Sequence, residues 1–269
     1  MNPEASPFHE LIRLIEHLRG EDGCPWDRKQ TPQTLAIYLI EEVYELVEAI
    51  QSGNPEAVRE ELGDVMFLLF FLASINQEQG HFDIQEAVIA NTRKMRNRHP
   101  HVFGDTTVDS AEEVRQNWHQ IKAAEKNSQK DTPLLDSVPK KLPALMRAYR
   151  ISERAARTGF DWNDIGGALD KTEEEWLELK TELGRDAAAF NHEDVALEFG
   201  DVLFTLTNVA RFAGIHPETA LSAAIQKFEK RFAYMERISK ETGEPFENLA
   251  IDDMQALWQQ AKENSQEKP

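Results

Sequence analysis

Long stretches of the chain place apolar residues every three or four positions, and short breaks of Gly, Pro and Asn separate them. That spacing puts the apolar side chains on one face of an α-helix, unlike the strict alternation of a strand. It predicts ten helices, at about 8–20, 32–52, 55–79, 84–98 and 110–126, then 142–158, 167–184, 192–213, 217–240 and 252–264. Between the fifth and sixth lies KNSQKDTPLLDSVPKKLP, a polar stretch with three prolines that reads as a linker. The expected organisation is all-α: a helical domain over 1–126, a linker over 127–141 and a second helical domain over 142–269.

The two sets of five helices match one another in order. EEVYE at 41–45 answers EEWLE at 174–178, an offset of 133, and ELGDVMF at 61–67 answers EFGDVLF at 198–204, an offset of 137. KMRNR at 94–98 answers KFEKR at 227–231, again at 133, and WHQIK at 118–122 answers WQQAK at 258–262, at 140. Loop insertions account for such small drift. A period near 135 predicts a duplicated domain rather than a short solenoid repeat.

The acids of these blocks fall where apolar residues belong. At about 100° per residue, Asp64 lies near Glu61, with Val65, Leu68 and Leu72 in the same sector. Glu42 and Glu45 flank Leu39, Leu46 and Ala49, whereas Glu41 and Glu48 turn toward solvent. The second half repeats this. Glu198 and Asp201 share a face with Val202, Thr205 and Val209, and Glu175 and Glu178 take the inner positions with Glu174 outside. Gly63 and Gly200 leave room for another helix to approach. An antiparallel helix pair would gather four carboxylates in each half. Converging carboxylates repel one another and are costly in apolar surroundings, and a hard divalent cation relieves both penalties. The all-oxygen sets Glu42, Glu45, Glu61, Asp64 and Glu175, Glu178, Glu198, Asp201 therefore predict sites for Mg²⁺, with Mn²⁺ as the other candidate.

Cations recur in the same register. Lys94 and Arg98 are one helical turn apart, as are Lys227 and Arg231; Trp118 and Lys122 are matched by Trp258 and Lys262. Lys and Arg beside a metal are equipment for a polyphosphate, and a Trp beside a Lys can stack on a base. The sequence has no GxxxxGK[ST], GxGxxG or HExxH motif, and neither acid block carries a His at i+3 as di-iron bundles do. His99 and His101 follow a helix end and read as loop or capping residues.

Composition narrows the field. A net charge of −18 over 269 residues disfavours nucleic acid and anionic membranes as partners. The longest apolar run, VMFLLFFLASI, is short of the roughly 20 residues that span a bilayer. The N-terminal stretch MNPEASPFHE lacks the pattern of a signal peptide, and the single Cys24 suits a reducing cytoplasm.

EExxE followed by ExxD resembles the signature of the all-α nucleoside triphosphate pyrophosphohydrolases. The duplication, with CPWD at 24–27, RHPHVFGD at 98–105 and GFDW at 159–162, resembles the two-domain MazG members, over nearly the whole chain. The resemblance implies Mg²⁺-dependent hydrolysis of a broad set of triphosphates to the monophosphate and pyrophosphate, in nucleotide pool control or house-cleaning, by a cytoplasmic homodimer. It implies that the inner acids listed above are metal ligands and that Lys171, Lys227, Arg231, Trp258 and Lys262 contact the nucleotide. It also implies catalysis in the C-terminal half; there a carboxylate not fully engaged by metal, with Glu174 or Glu175 as candidates, is expected to orient or deprotonate the water. At the position matching Lys171 the first half has Tyr38. Two rivals stand beside this: a pyrimidine-specific triphosphatase acting on dUTP or dCTP, and a metal-stabilised scaffold without activity.

Overall fold

A computed structural model describes residues 6–126, 133–186 and 190–264. The chain divides into two compact units between Ser128 and Gln129. Every regular element among the described residues is helical.

The first unit holds α1 (Pro7–Arg19), a short α2 (Pro25–Arg28), α3 (Pro32–Ser52), α4 (Pro55–Glu78), α5 (Ile84–Arg98), a short α6 (Pro100–Phe103) and α7 (Ala111–Lys126). Proline opens α1, α2, α3, α4 and α6, where its fixed φ suits the first turn and its missing N–H costs nothing. Thr31 and Asp83 close capping boxes on α3 and α5. Only Gly53 and Asn54 join α3 to α4, so the two helices must run antiparallel; Gly53 takes φ 69°, which a side chain would resist. The core is Ile15, Leu35, Leu68, Phe71 and Ile75, contributed by α1, α3 and α4. Arg19 ties α1 to the far end of α4 through two hydrogen bonds of 2.6 Å to Glu78 and also donates to the Asp27 carbonyl.

The second unit holds α8 (Ala144–Ala156), α9 (Ile165–Leu183), α10 (His192–Phe212), α11 (Pro217–Thr242) and α12 (Ile251–Asn264), with 3₁₀ turns at Leu134–Ser137 and Phe246–Asn248. Its packing repeats that of the first unit: α9 lies on α10 as α3 lies on α4, α10 on α8 as α4 on α1, and α11 on α12 as α5 on α7. Its buried residues are smaller and more polar, among them Ala168, Val202, Thr205, Thr207, Asn208 and Ser239. The stretch expected as linker is not all open chain, because the turn at Leu134–Ser137 packs on α8 and Val138 is 1% exposed. Residues 127–132 of that stretch lie outside the described residues.

The accessory motifs serve the fold. Cys24–Asp27 forms the start of α2, and His99 ends α5 and begins α6 while its Nδ1 lies 2.7 Å from the Met95 carbonyl. Asp161 accepts a forked pair from Arg211 on α10, and Trp162 packs so closely on Gly167 that a Cβ there would meet its ring at 2.9 Å.

Candidate metal centres

In the first unit the α3–α4 hairpin brings carboxylate oxygens of Glu42, Glu45 and Glu61 within 4.8 Å of one another. Glu42 and Glu45 are one turn apart on α3, and the antiparallel return of α4 presents Glu61 beside them. Asp64 is not in that group, but its charge acts on both Glu42 and Glu61. Partial burial first, and then the charges of Glu45 and Asp64, push the Glu42 and Glu61 carboxyls up from the ordinary carboxylate value.

In the second unit the group is Glu175, Glu198 and Asp201, again within 4.8 Å. Glu198 is pushed up by desolvation, then by the charges of Glu178, Glu175, Asp201 and Glu182. Glu178 is thus beside the site without joining the tight group. Glu182 is an acid the helical pattern did not single out. It lies one turn beyond Glu178 on the same stripe, and that register was the available signal. One of its oxygens is buried without a hydrogen bond among the described residues, and the other pairs with Arg185 at 2.6 Å.

The expectation that all these acids lie within the apolar stripe is corrected by their exposure. Glu175 is buried at 7%, and Glu42, Glu61 and Glu198 are half-buried, but Glu45, Asp64, Glu178 and Asp201 are exposed. The stripe is wider than the helices that cover it, so Val43, Val47 and Leu62 beside the first cluster are exposed as well, as are Leu177, Phe199 and Leu203 beside the second. Gly63 and Gly200 have nothing within 4 Å of where a Cβ would stand, so the close helix approach expected there is not made within the described residues.

Lys171 has a place the sequence reading did not foresee. Its Nζ lies 2.8 Å from Glu174 and 2.9 Å from Glu175, bridging the two acids named as candidate bases. The hydrogen bonds to Glu174 and then Glu175 hold the ammonium charged well above the usual lysine range. Glu174 is exposed and outside the tight carboxylate group, so of the two candidates Glu175 alone faces Glu198 and Asp201.

The basic sets sit on the later helices. In the second unit the Arg231 guanidinium lies 5.7 Å from the centre of the Trp258 ring, bringing α11 and α12 together; Phe228 packs on the same ring at 5.2 Å. Lys227 lies one turn before Arg231, and Lys262 one turn after Trp258. In the first unit Arg98 and Lys122 lie over Trp118 at 5.3 and 5.1 Å.

Two compact sets of carboxylate oxygens with no His or Cys match the donor chemistry of Mg²⁺ or Mn²⁺. No helix among the described residues is long and apolar enough to cross a membrane.

Comparison with known proteins adds a second line. The pattern of the MazG nucleotide pyrophosphohydrolase domain matches residues 30–103, which include Glu42, Glu45, Glu61 and Asp64. The nucleoside triphosphate pyrophosphohydrolase/pyrophosphatase MazG of Thermotoga maritima is 42% identical over 255 residues, 95% of each chain. The nucleoside triphosphate pyrophosphohydrolase of Escherichia coli K12 is 40% identical over 253 residues, 94% of this chain and 95% of its own. The uncharacterized protein YabN of Bacillus subtilis is 44% identical over 260 residues, 97% of this chain and 52% of its own.

Proposed function

The chain belongs to the MazG family of nucleoside triphosphate pyrophosphohydrolases, which makes it a hydrolase, and we propose that it converts a broad set of nucleoside triphosphates to monophosphate and pyrophosphate with Mg²⁺, from its second unit. The observation that carries this reading is the group Glu175, Glu198 and Asp201, in which Glu175 is buried and has Lys171 against it.

Glu175, Glu198 and Asp201 would hold the cation, with Glu178 beside them. When bound, the cation supplies Lewis acidity and neutralises phosphate charge. The chain's own groups do the rest. The Glu175 carboxylate accepts a proton from the attacking water and orients it. The water oxygen bonds to the α-phosphorus, and the bond from that phosphorus to the bridging oxygen of the β-phosphate breaks. Pyrophosphate leaves with the electron pair, and Lys227 and Arg231 meet its charge. Trp258 offers a ring for the base, and a ring reads no hydrogen-bond code, which favours broad base acceptance. Lys171 and Lys262 complete the phosphate contacts.

The family pattern falls on the first unit; the choice of the second rests on the resemblance to the two-domain members and on this chain's own differences, chiefly Lys171 against Tyr38. We read the first unit as a duplicated copy in a regulatory or dimerising role. The repeated helix order and the matched blocks support the duplication. The exposed apolar faces of α3–α4 and α9–α10 support a homodimer, because a monomer rarely leaves such surface in water. Light scattering should give the mass of two chains.

The test is pyrophosphate release from a panel of purine and pyrimidine triphosphates with Mg²⁺. Turnover across the panel is expected. Turnover of dUTP or dCTP alone would establish the narrow enzyme, and none from a folded, metal-bound chain would leave the scaffold.

A further inference from the structure

Arginines that leave water in this chain meet carboxylates. Arg19 pairs with Glu78, Arg98 with Glu125 and Arg211 with Asp161, and each of these arginine side chains is at most 13% exposed. Helix α8 breaks that habit. Its Arg147, Arg150 and Arg154, with Arg157 just beyond its end, lie three or four positions apart and share one face. Glu153 takes two of them, Arg150 at 3.0 Å and Arg157 at 2.7 Å. Arg147 and Arg154 are half-buried and pair with no carboxylate among the described residues. Arg154 donates to the Ser137 hydroxyl at 2.5 Å, on the 3₁₀ turn that packs against α8. The Arg147 Nε is buried without a hydrogen-bond acceptor among the described residues. Burial first, and then the like charge of Arg157, lower the Arg154 guanidinium from the usual arginine value; Glu153 opposes them and Arg150 adds to them. A bound anion relieves both penalties.

The fold does not call for these cations. The matching helix of the first unit, α1, aligns at the offset of 137 that also relates ELGDVMF to EFGDVLF, and buried Ser152 then stands on buried Ile15. In that register Arg147 stands where α1 has Glu10, and Arg154 where it has His17. Helix α1 balances two acids with two arginines; α8 with Arg157 sets four arginines against one acid, in a chain of net charge −18. A guanidinium presents a fork of N–H groups that fits a phosphate group. Seven positions put the two unpaired forks about 10 Å apart along the helix axis, a separation that suits linked phosphates better than a single one.

We propose that the arginine face of α8 is a binding site for a polyphosphate chain, built from residues apart from the carboxylate groups, with Arg147 and Arg154 as its two forks. The chain is free inorganic polyphosphate or the tail of a nucleotide; the forks read phosphate in either.

The experiment is calorimetric titration of inorganic tripolyphosphate into the full chain carrying Lys227→Ala and Arg231→Ala, in EDTA so that the carboxylate groups hold no metal. One site per chain is expected. Arg147→Met and Arg154→Met should each weaken binding about tenfold or more, and Arg147→Lys, which keeps the charge and loses the fork, should weaken it as well. Arg13→Met on α1 removes the same charge and should change affinity by no more than about twofold. Orthophosphate should bind about tenfold or more weakly than tripolyphosphate, because it meets one fork at a time. ATP titrated in parallel separates the sources: equal affinity identifies the bare polyphosphate chain, and tighter ATP a nucleotide. Circular dichroism establishes that the compared chains are folded. No binding by the parent chain, unchanged affinity in the folded Arg147 variants, orthophosphate as tight as tripolyphosphate, or an equal loss from Arg13→Met would overturn the inference. So would a dimer that Arg147→Met splits while tripolyphosphate binding stays the same, because α8 would then be a contact between copies. The test omits the metal and the basic pair assigned to the proposed reaction, so it stands or falls separately from pyrophosphate release.

Discussion

Helices α4 and α10 hold the same place in their units and fill it differently. Leu68 and Phe71 on α4 are core residues; 137 positions on, α10 has Thr205 and Asn208. The second pair is buried too, and it satisfies itself along its own helix: the Thr205 hydroxyl donates to the Asp201 carbonyl at 3.0 Å, and the Asn208 amide to that of Phe204 at 3.1 Å. The helices that face them differ in the same sense. Tyr38 is matched by Lys171 and buried Ala49 by Glu182, both beside the acids. One scaffold thus invests in apolar packing in the first unit and accepts polar and charged groups in the second. Local rules are broken most where a site must be built, and this contrast is the ground for proposing the second unit as that place.

The comparison breaks most readily at the core. Phe71→Ala should destabilise the first unit by about 3–5 kcal/mol, because it opens a cavity among Ile15, Leu35 and Ile75. Asn208→Ala should cost the second unit about 1 kcal/mol, the worth of a net hydrogen bond. Chemical denaturation followed on each variant checks both, and equal losses would erase the contrast.

Lys171→Met should lower pyrophosphate release about ten- to hundredfold, through lost phosphate contact. Tyr38→Phe should leave it unchanged. Steady-state assays of both variants sharpen the claim that this pair separates the units.

The smallest effect concerns pH and metal. Glu42, Glu61 and Glu198 bind their protons more tightly folded than unfolded. Their contribution is therefore full below the ordinary glutamate value of 4.5 and is lost as pH rises through their raised folded values. Mg²⁺ favours the deprotonated clusters, so its stabilisation should grow over the same window, reaching on the order of 5 °C in Tm near neutrality. Melting curves with Mg²⁺ and with EDTA across pH check this; a gap that shrinks on raising the pH would contradict it.

Much of the architecture was legible because the chain punctuates its helices with Pro, Asn and Gly. The ten predicted helices agree with the ten longer ones among the described residues to within two residues at each end. The helices Pro25–Arg28 and Pro100–Phe103 were missed because four residues give no periodicity. The burial of Val138 within the expected linker is not legible, because one apolar residue beside three prolines leaves no pattern. For the site, the wheel found which acids share a face but not how much of that face is covered, which depends on neighbouring helices. The Lys171 bridge was in principle readable from its spacing to Glu174 and Glu175, since residues three and four apart meet on a helix. The pairing of Arg98 with Glu125 was not, because it joins two helices through a tertiary contact.

The central claim is that the second unit does the chemistry. Its most direct test is Mg²⁺-dependent pyrophosphate release by Glu175→Ala beside Glu42→Ala, both folded. The account predicts a loss of about a hundredfold or more for Glu175→Ala and near-full activity for Glu42→Ala. Loss in Glu42→Ala with activity kept in Glu175→Ala would place catalysis in the first unit and contradict it.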